Sequence, residues 1–170
     1  MKPETITKQI FKIIPALLLV ALSAFLLQGD VWTFWTWYLL ALVLGAAAMP
    51  LTGRLFRRFQ DRGWVFSKVT AIAVSGFLTW FLVAVKIIKF TTMTCIVVTL
   101  VCAAASLILY CREQKAGFEC IPFAHLDLVY AEELLFFAAF LLWTYFAGFH
   151  PAAYGTEKFM DYGFMEAMMR

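Results

Sequence analysis

Two carboxylates near the end of the chain, Glu157 and Asp161, have a spacing that chemistry can use. Residues four apart share one face of an α-helix. From Thr156 onward the pattern predicts a short interfacial helix, with Thr156 as N-cap and Phe159, Met160, Phe164, Met165, Met168 and Met169 as apolar anchors. Two acidic groups held together at a membrane surface can bind a divalent cation, or one can act as a base while the other orients it. The same spacing also fits an amphipathic helix whose polar face, Glu157 and Lys158 included, is only solvated, and spacing alone favours that plainer reading.

The other polar residues invite structural readings. The basic stretch from Arg54 to Lys68 reads as a topological anchor that can touch anionic lipid, and Asp61, Arg62 and Gly63 within it read as a tight turn. Glu132 and Glu133 open the fifth apolar stretch, where the helix dipole favours carboxylates, so they read as helix capping. Glu113, Glu119, His125 and Asp127 lack a metal-ligand spacing and read as a solvated loop surface. Cys95 and Cys102, one heptad apart, read as packing residues; Cys111 and Cys120 fall in a predicted cytoplasmic loop, and no disulfide is expected. Small residues at Gly45 to Ala48, Ser75, Gly76 and Ala103 to Ala105 would let helices approach closely.

The elements that must position these groups are set by composition. The 170 residues are 64% hydrophobic and 15% charged, with mean hydropathy +0.83. Soluble chains carry about 25% charge, so the solvent for this excess is lipid. A water-soluble enzyme and a nucleic-acid-binding domain are both excluded. A spanning helix needs roughly 20 apolar residues. Five stretches qualify, at about 13–27, 31–49, 69–88, 93–110 and 129–149. The prediction is therefore an all-α polytopic membrane protein. Residues 1–150 form its five-helix transmembrane domain, and 151–170 begin an extracytoplasmic loop with an acidic motif and an interfacial helix. No charged or broken helix is expected at mid-membrane, which argues against a transporter.

Orientation follows from Lys and Arg, which cytoplasmic loops retain. With the N-terminus inside, the cytoplasm receives Lys2, Lys8, Lys12, Arg54, Arg57, Arg58, Arg62, Lys68, Arg112 and Lys115, against Lys86, Lys89, Lys158 and Arg170 outside. Trp32, Phe34, Trp35, Trp37 and Tyr38 cluster at the outer start of the second stretch, where amphipathic rings anchor. The expected placement is multi-pass in the cell membrane, with the C-terminal segment outside. The first apolar stretch reads as an uncleaved helix, because no small-x-small site follows it and more spans come at once.

Several landmarks carry a family resemblance: Met49, Pro50 and Leu51 closing the second stretch, the run Phe59 to Lys68, Trp80, and the block Gly155, Thr156, Glu157, Lys158, Phe159, Met160, Asp161. The sequence resembles the N-terminal part of the YYY-domain membrane proteins, which are similar to GT-C glycosyltransferases. Those multipass enzymes take a sugar from a lipid-linked phosphate donor on the extracytoplasmic face. The resemblance implies that Asp161 is a base or metal-site member and Glu157 its partner. Lys158 and Arg170 would contact the substrate, a polyprenyl-phosphate sugar, and a divalent metal is a possible cofactor. The Arg that the family carries before the Pro after helix five has no counterpart in Tyr145 to Pro151. The family continues for several hundred residues past the acidic block, so the resemblance reads this chain as an incomplete N-terminal portion. The expected companions are membrane lipid and a C-terminal half or partner membrane subunit. The alternative is a non-catalytic membrane scaffold or subunit that packs against such a partner.

Overall fold

The computed structural model describes residues 3–149 and positions 164, 166 and 167, with side chains from residue 13. The described residues contain five long helices and no strand: α1 (Pro3–Leu27), α2 (Val31–Leu55), α3 (Trp64–Ala84), α4 (Thr92–Lys115) and α5 (Leu126–Gly148). Single 3-10 turns precede α2 and α5, at Gln28–Asp30 and Phe123–His125. In hydrocarbon every backbone N–H and C=O must be paired within the chain, and a helix does this from its own residues. The hydroxyls follow the same rule: Ser75, Thr79 and Thr99 donate to the carbonyls of Ala71, Ser75 and Cys95, at 2.7, 2.8 and 2.8 Å.

Helix ends differ from the apolar stretches in instructive ways. The second stretch does not close at Met49, because α2 runs through Pro50 to Leu55. Pro50 forfeits one ladder bond, and the helix resumes, with Thr52 Oγ1 donating to the Met49 carbonyl at 3.1 Å and Phe56 N to the Thr52 carbonyl at 2.7 Å. Gly63, at φ +78°, starts α3 five residues before the expected Val69. A Cβ at Gly63 would lie 2.6 Å from the Phe56 ring, so both the left-handed backbone and the space call for glycine. The tight turn expected at Asp61–Gly63 is present, closed by Trp64 N donating to the Asp61 carbonyl at 3.1 Å. Thr91 caps α4 by accepting from Thr94 N at 3.2 Å. That helix continues to Lys115, so Cys111 is helical and not in a loop.

Chain reversal at Gln28–Asp30, where Gln28 takes φ +44°, folds α1 back beside α2. Leu19, Leu26 and Leu27 of α1 therefore share one aromatic cluster with Phe34 and Tyr38 of α2 and Phe137 and Leu141 of α5. A straight helix would carry Leu19 more than about 20 Å from Phe34 at 1.5 Å per residue. Helices α2 and α5 cross this cluster antiparallel, with Phe34 stacked on Phe140 and Tyr38 edge-on to Phe137. The outward faces are apolar: Val43, Val69, Leu100, Leu135 and Trp143 are all more than 60% exposed. In water such faces would aggregate, whereas in lipid they are solvated. Three stretches among the described residues are long and apolar enough to cross a membrane: Ile13–Leu55, which contains the reversal, Trp64–Ala84 and Thr92–Lys115.

Candidate functional site

Glu133 is bonded to side chains of two other helices. It lies seven residues into α5, about 10 Å along the helix, so it is not an end cap; the first-turn acid of α5 is Asp127. Its Oε1 accepts from Tyr38 Oη at 2.8 Å, and its Oε2 accepts from Trp64 Nε1 at 2.8 Å and from Lys68 Nζ at 2.6 Å. One carboxylate thereby joins α2, α3 and α5. Lys68 is almost fully buried, its side chain 3% exposed, and its ammonium also sits 4.8 Å from the Trp64 ring centroid and 4.5 Å from that of Phe136. A buried cation placed between a carboxylate and two aromatic faces is compensated on every side.

Backbone proximity makes room for this hub. A Cβ on Gly45 would lie 2.8 Å from Lys68 Cγ and 2.9 Å from Ser67 Oγ, so the glycine lets the lysine stem lie flat against α2. The small residue expected to permit close packing does so at the site itself. Next to the hub residue on α5, the Oε2 atom of Glu132 is buried without a hydrogen-bond partner.

A second polar assembly ties together the helix ends where the long loops lie. Arg54 Nη1 and Arg57 Nη2 bind the two oxygens of Glu113, at 2.8 and 3.2 Å. Glu113 was expected on a solvated surface, but it joins the end of α2 to the end of α4. The loop to α5 then closes onto α2, where a Cβ on Gly53 would collide with the Cys120 carbonyl oxygen. Cys120 is fully buried there. Burial, followed by the nearby Glu113 carboxylate, pushes its thiol pKa above the ordinary range.

At the opposite end a cleft of about 410 Å³ opens between the α1–α2 turn and the end of α5. Asp30, Trp37, Thr144, Tyr145 and Phe149 line it. The residues that the sequence nominated for chemistry, Glu157, Lys158, Asp161 and Arg170, lie outside the described residues. So does most of the interfacial helix expected there, of which Phe164, Glu166 and Ala167 are described and helical. Among the described residues no three His, Cys, Asp or Glu side chains come together as metal ligands.

The hub was missed in the sequence because its partners are 65 to 95 residues apart in the chain. One signal was available. Glu133 follows Val129 and precedes an unbroken apolar run, and an ionisable residue inside such a run is a candidate for a paired, non-surface role.

Helices with lipid-facing apolar sides and charges paired between them define an integral membrane protein. Residues 74–170, more than half of the chain, match the family described as Uncharacterized membrane protein (DUF2298), and the chain belongs to that family. Neither a curated protein nor a solved structure matches it.

Proposed function

We propose that this chain forms part of a GT-C-like glycosyltransferase that uses a polyprenyl-phosphate sugar, crossing the membrane five times with its N-terminus in the cytoplasm. The supporting observation is the cleft between the α1–α2 turn and the end of α5. It lies at the end of α5, which closes at Gly148, nine residues before Glu157 in the sequence. Its walls suit a glycosyl donor, because Trp37, Tyr145 and Phe149 offer flat apolar faces while Asp30 and Thr144 offer polar contacts. In this reading Asp161 takes the acceptor hydroxyl proton with Glu157 orienting it, and Lys158 and Arg170 hold the phosphate. The donor set of two carboxylates also suits a hard divalent cation, which would neutralise charge on the departing phosphate.

The test is transfer of labelled sugar from a polyprenyl-phosphate donor in membranes carrying Asp161→Asn. Loss of transfer with normal membrane insertion is the expected outcome, and unchanged transfer refutes the assignment. A cysteine placed at position 157 should react with an impermeant reagent from outside the cell. Protection of that cysteine in intact cells would overturn the topology.

The second reading is a non-catalytic subunit that packs against another membrane protein. An apolar face that either lipid or a partner helix can cover is compatible with it, for example Val97, Leu100, Val101 and Ile108 on α4, exposed among the described residues. Copurification with a second membrane protein supports this reading, and a monodisperse solitary species counts against it.

A further inference from the structure

The end of the bundle opposite the cleft carries a basic shelf built from the last turns of α2 and α4 and the loops that follow them. Arg54, Arg57, Arg58, Arg62, Arg112 and Lys115 are all there. Glu113 serves two of them, Arg54 and Arg57, whose side chains remain 51% exposed. The Phe118 ring holds Arg57 and Arg62, their guanidinium carbons 4.5 and 4.9 Å from its centroid, and Arg62 Nη1 donates to the Arg57 carbonyl at 2.6 Å. These cations are therefore fixed before any ligand arrives. Arg58, Arg112 and Lys115 are exposed and form no ion pair with another described residue.

The shelf also has an apolar ledge. Leu55 and Phe59 flank Arg58 and are 64% and 54% exposed, and the Phe59 ring is steadied edge-on against Phe56 at 5.6 Å. The apolar stretches Ile13–Leu55 and Thr92–Lys115 both end at this level, which sets it at the boundary between hydrocarbon and water.

We propose that this shelf binds the headgroup of an anionic phospholipid. Arg58, Arg112 and Lys115 meet the phosphate while Leu55 and Phe59 enter the acyl region. A free phosphate would satisfy the cations but leave the ledge in water, so the ledge selects the lipid. The site is independent of the transferase reading and of which side of the membrane this end faces.

The experiment uses the full chain in detergent, with retention of added dioleoyl-phosphatidylglycerol or dioleoyl-phosphatidylcholine measured by native mass spectrometry. Phosphatidylglycerol is expected to bind about a hundredfold more tightly than phosphatidylcholine, because each of the three basic residues contributes about 1 kcal/mol, about fivefold, near an anionic headgroup. R58Q/R112Q/K115Q removes side chains that form no ion pair with another described residue, and should weaken phosphatidylglycerol by about fivefold per residue while leaving phosphatidylcholine unchanged. K86Q/K89Q, at the other end, should keep wild-type binding. Equal retention of the two lipids, or full retention by the triple variant, overturns the proposal. Millimolar inorganic phosphate should not displace the lipid; displacement would identify a free-anion site and overturn it as well. L55S/F59S should weaken phosphatidylglycerol, and unchanged binding would remove the argument for a lipid.

Discussion

Replacing Glu133 by Ala should be among the most damaging single changes available in this protein. It strips the acceptor from three donors at once, Tyr38 Oη, Trp64 Nε1 and Lys68 Nζ. The ammonium matters most, since the Lys68 side chain is 3% exposed and cannot reach water without reorganising α3 against α2. Breaking a buried ion pair from one side costs about 3–5 kcal/mol, because the surviving charge stays uncompensated. Glu133→Gln keeps the volume and one acceptor oxygen but removes the negative charge and so also leaves the ammonium uncompensated, for at least about 1.5–3 kcal/mol. Tyr38→Phe removes one bond to a charged group, again about 1.5–3 kcal/mol. Equilibrium unfolding of the purified protein, from mild detergent into a denaturing one, reads these differences. The decisive variant is Lys68→Met combined with Glu133→Leu, which removes both charges and should recover much of what either single change loses. The reasoning fails if Glu133→Ala is within about 0.5 kcal/mol of wild type, the range of an ordinary surface substitution. It also fails if the double variant is as unstable as the sum of the singles, since the two charges would then act separately.

Gly53→Ala should destabilise by about 1–3 kcal/mol, the usual cost of overpacking, because the new Cβ meets the Cys120 backbone carbonyl and not a side chain that can swing away; a wild-type melting temperature would contradict the close approach. Gly63→Ala should cost at least about 1 kcal/mol for its φ of +78°, and more for the Phe56 contact, and thermal melting in detergent checks it. In variants that keep one cysteine each, Cys111 should react readily with a water-soluble maleimide. Cys120 should stay unreacted at pH 8, where burial keeps its thiol protonated, until the protein unfolds; equal labelling rates would show that the α4–α5 loop does not close over it.

The amino-acid sequence was sufficient for the kind of structure. Apolar runs of about 20 residues in a chain that is 64% hydrophobic leave helices in lipid as the form that pairs every backbone group. The turn at Asp61–Gly63 was legible for a similarly local reason, since glycine is the residue that takes positive φ without strain. Helix ends were less legible. Pro50 suggested an end to α2, and the polar residues before Val69 hid the first turn of α3, because the cost of one lost bond or one charged residue depends on what packs around it. The partners of the charges were not legible at all. Lys68 read as one basic residue in an anchoring loop, Glu133 as a cap and Glu113 as a solvated acid. Tertiary folding assigned each its role, by bringing Tyr38, Trp64 and Lys68 onto one carboxylate and Arg54 and Arg57 onto another. Hydrophobicity is a property of each residue and can be summed along a chain, whereas the worth of a charge is set by the groups within a few ångströms of it, and those come from distant segments.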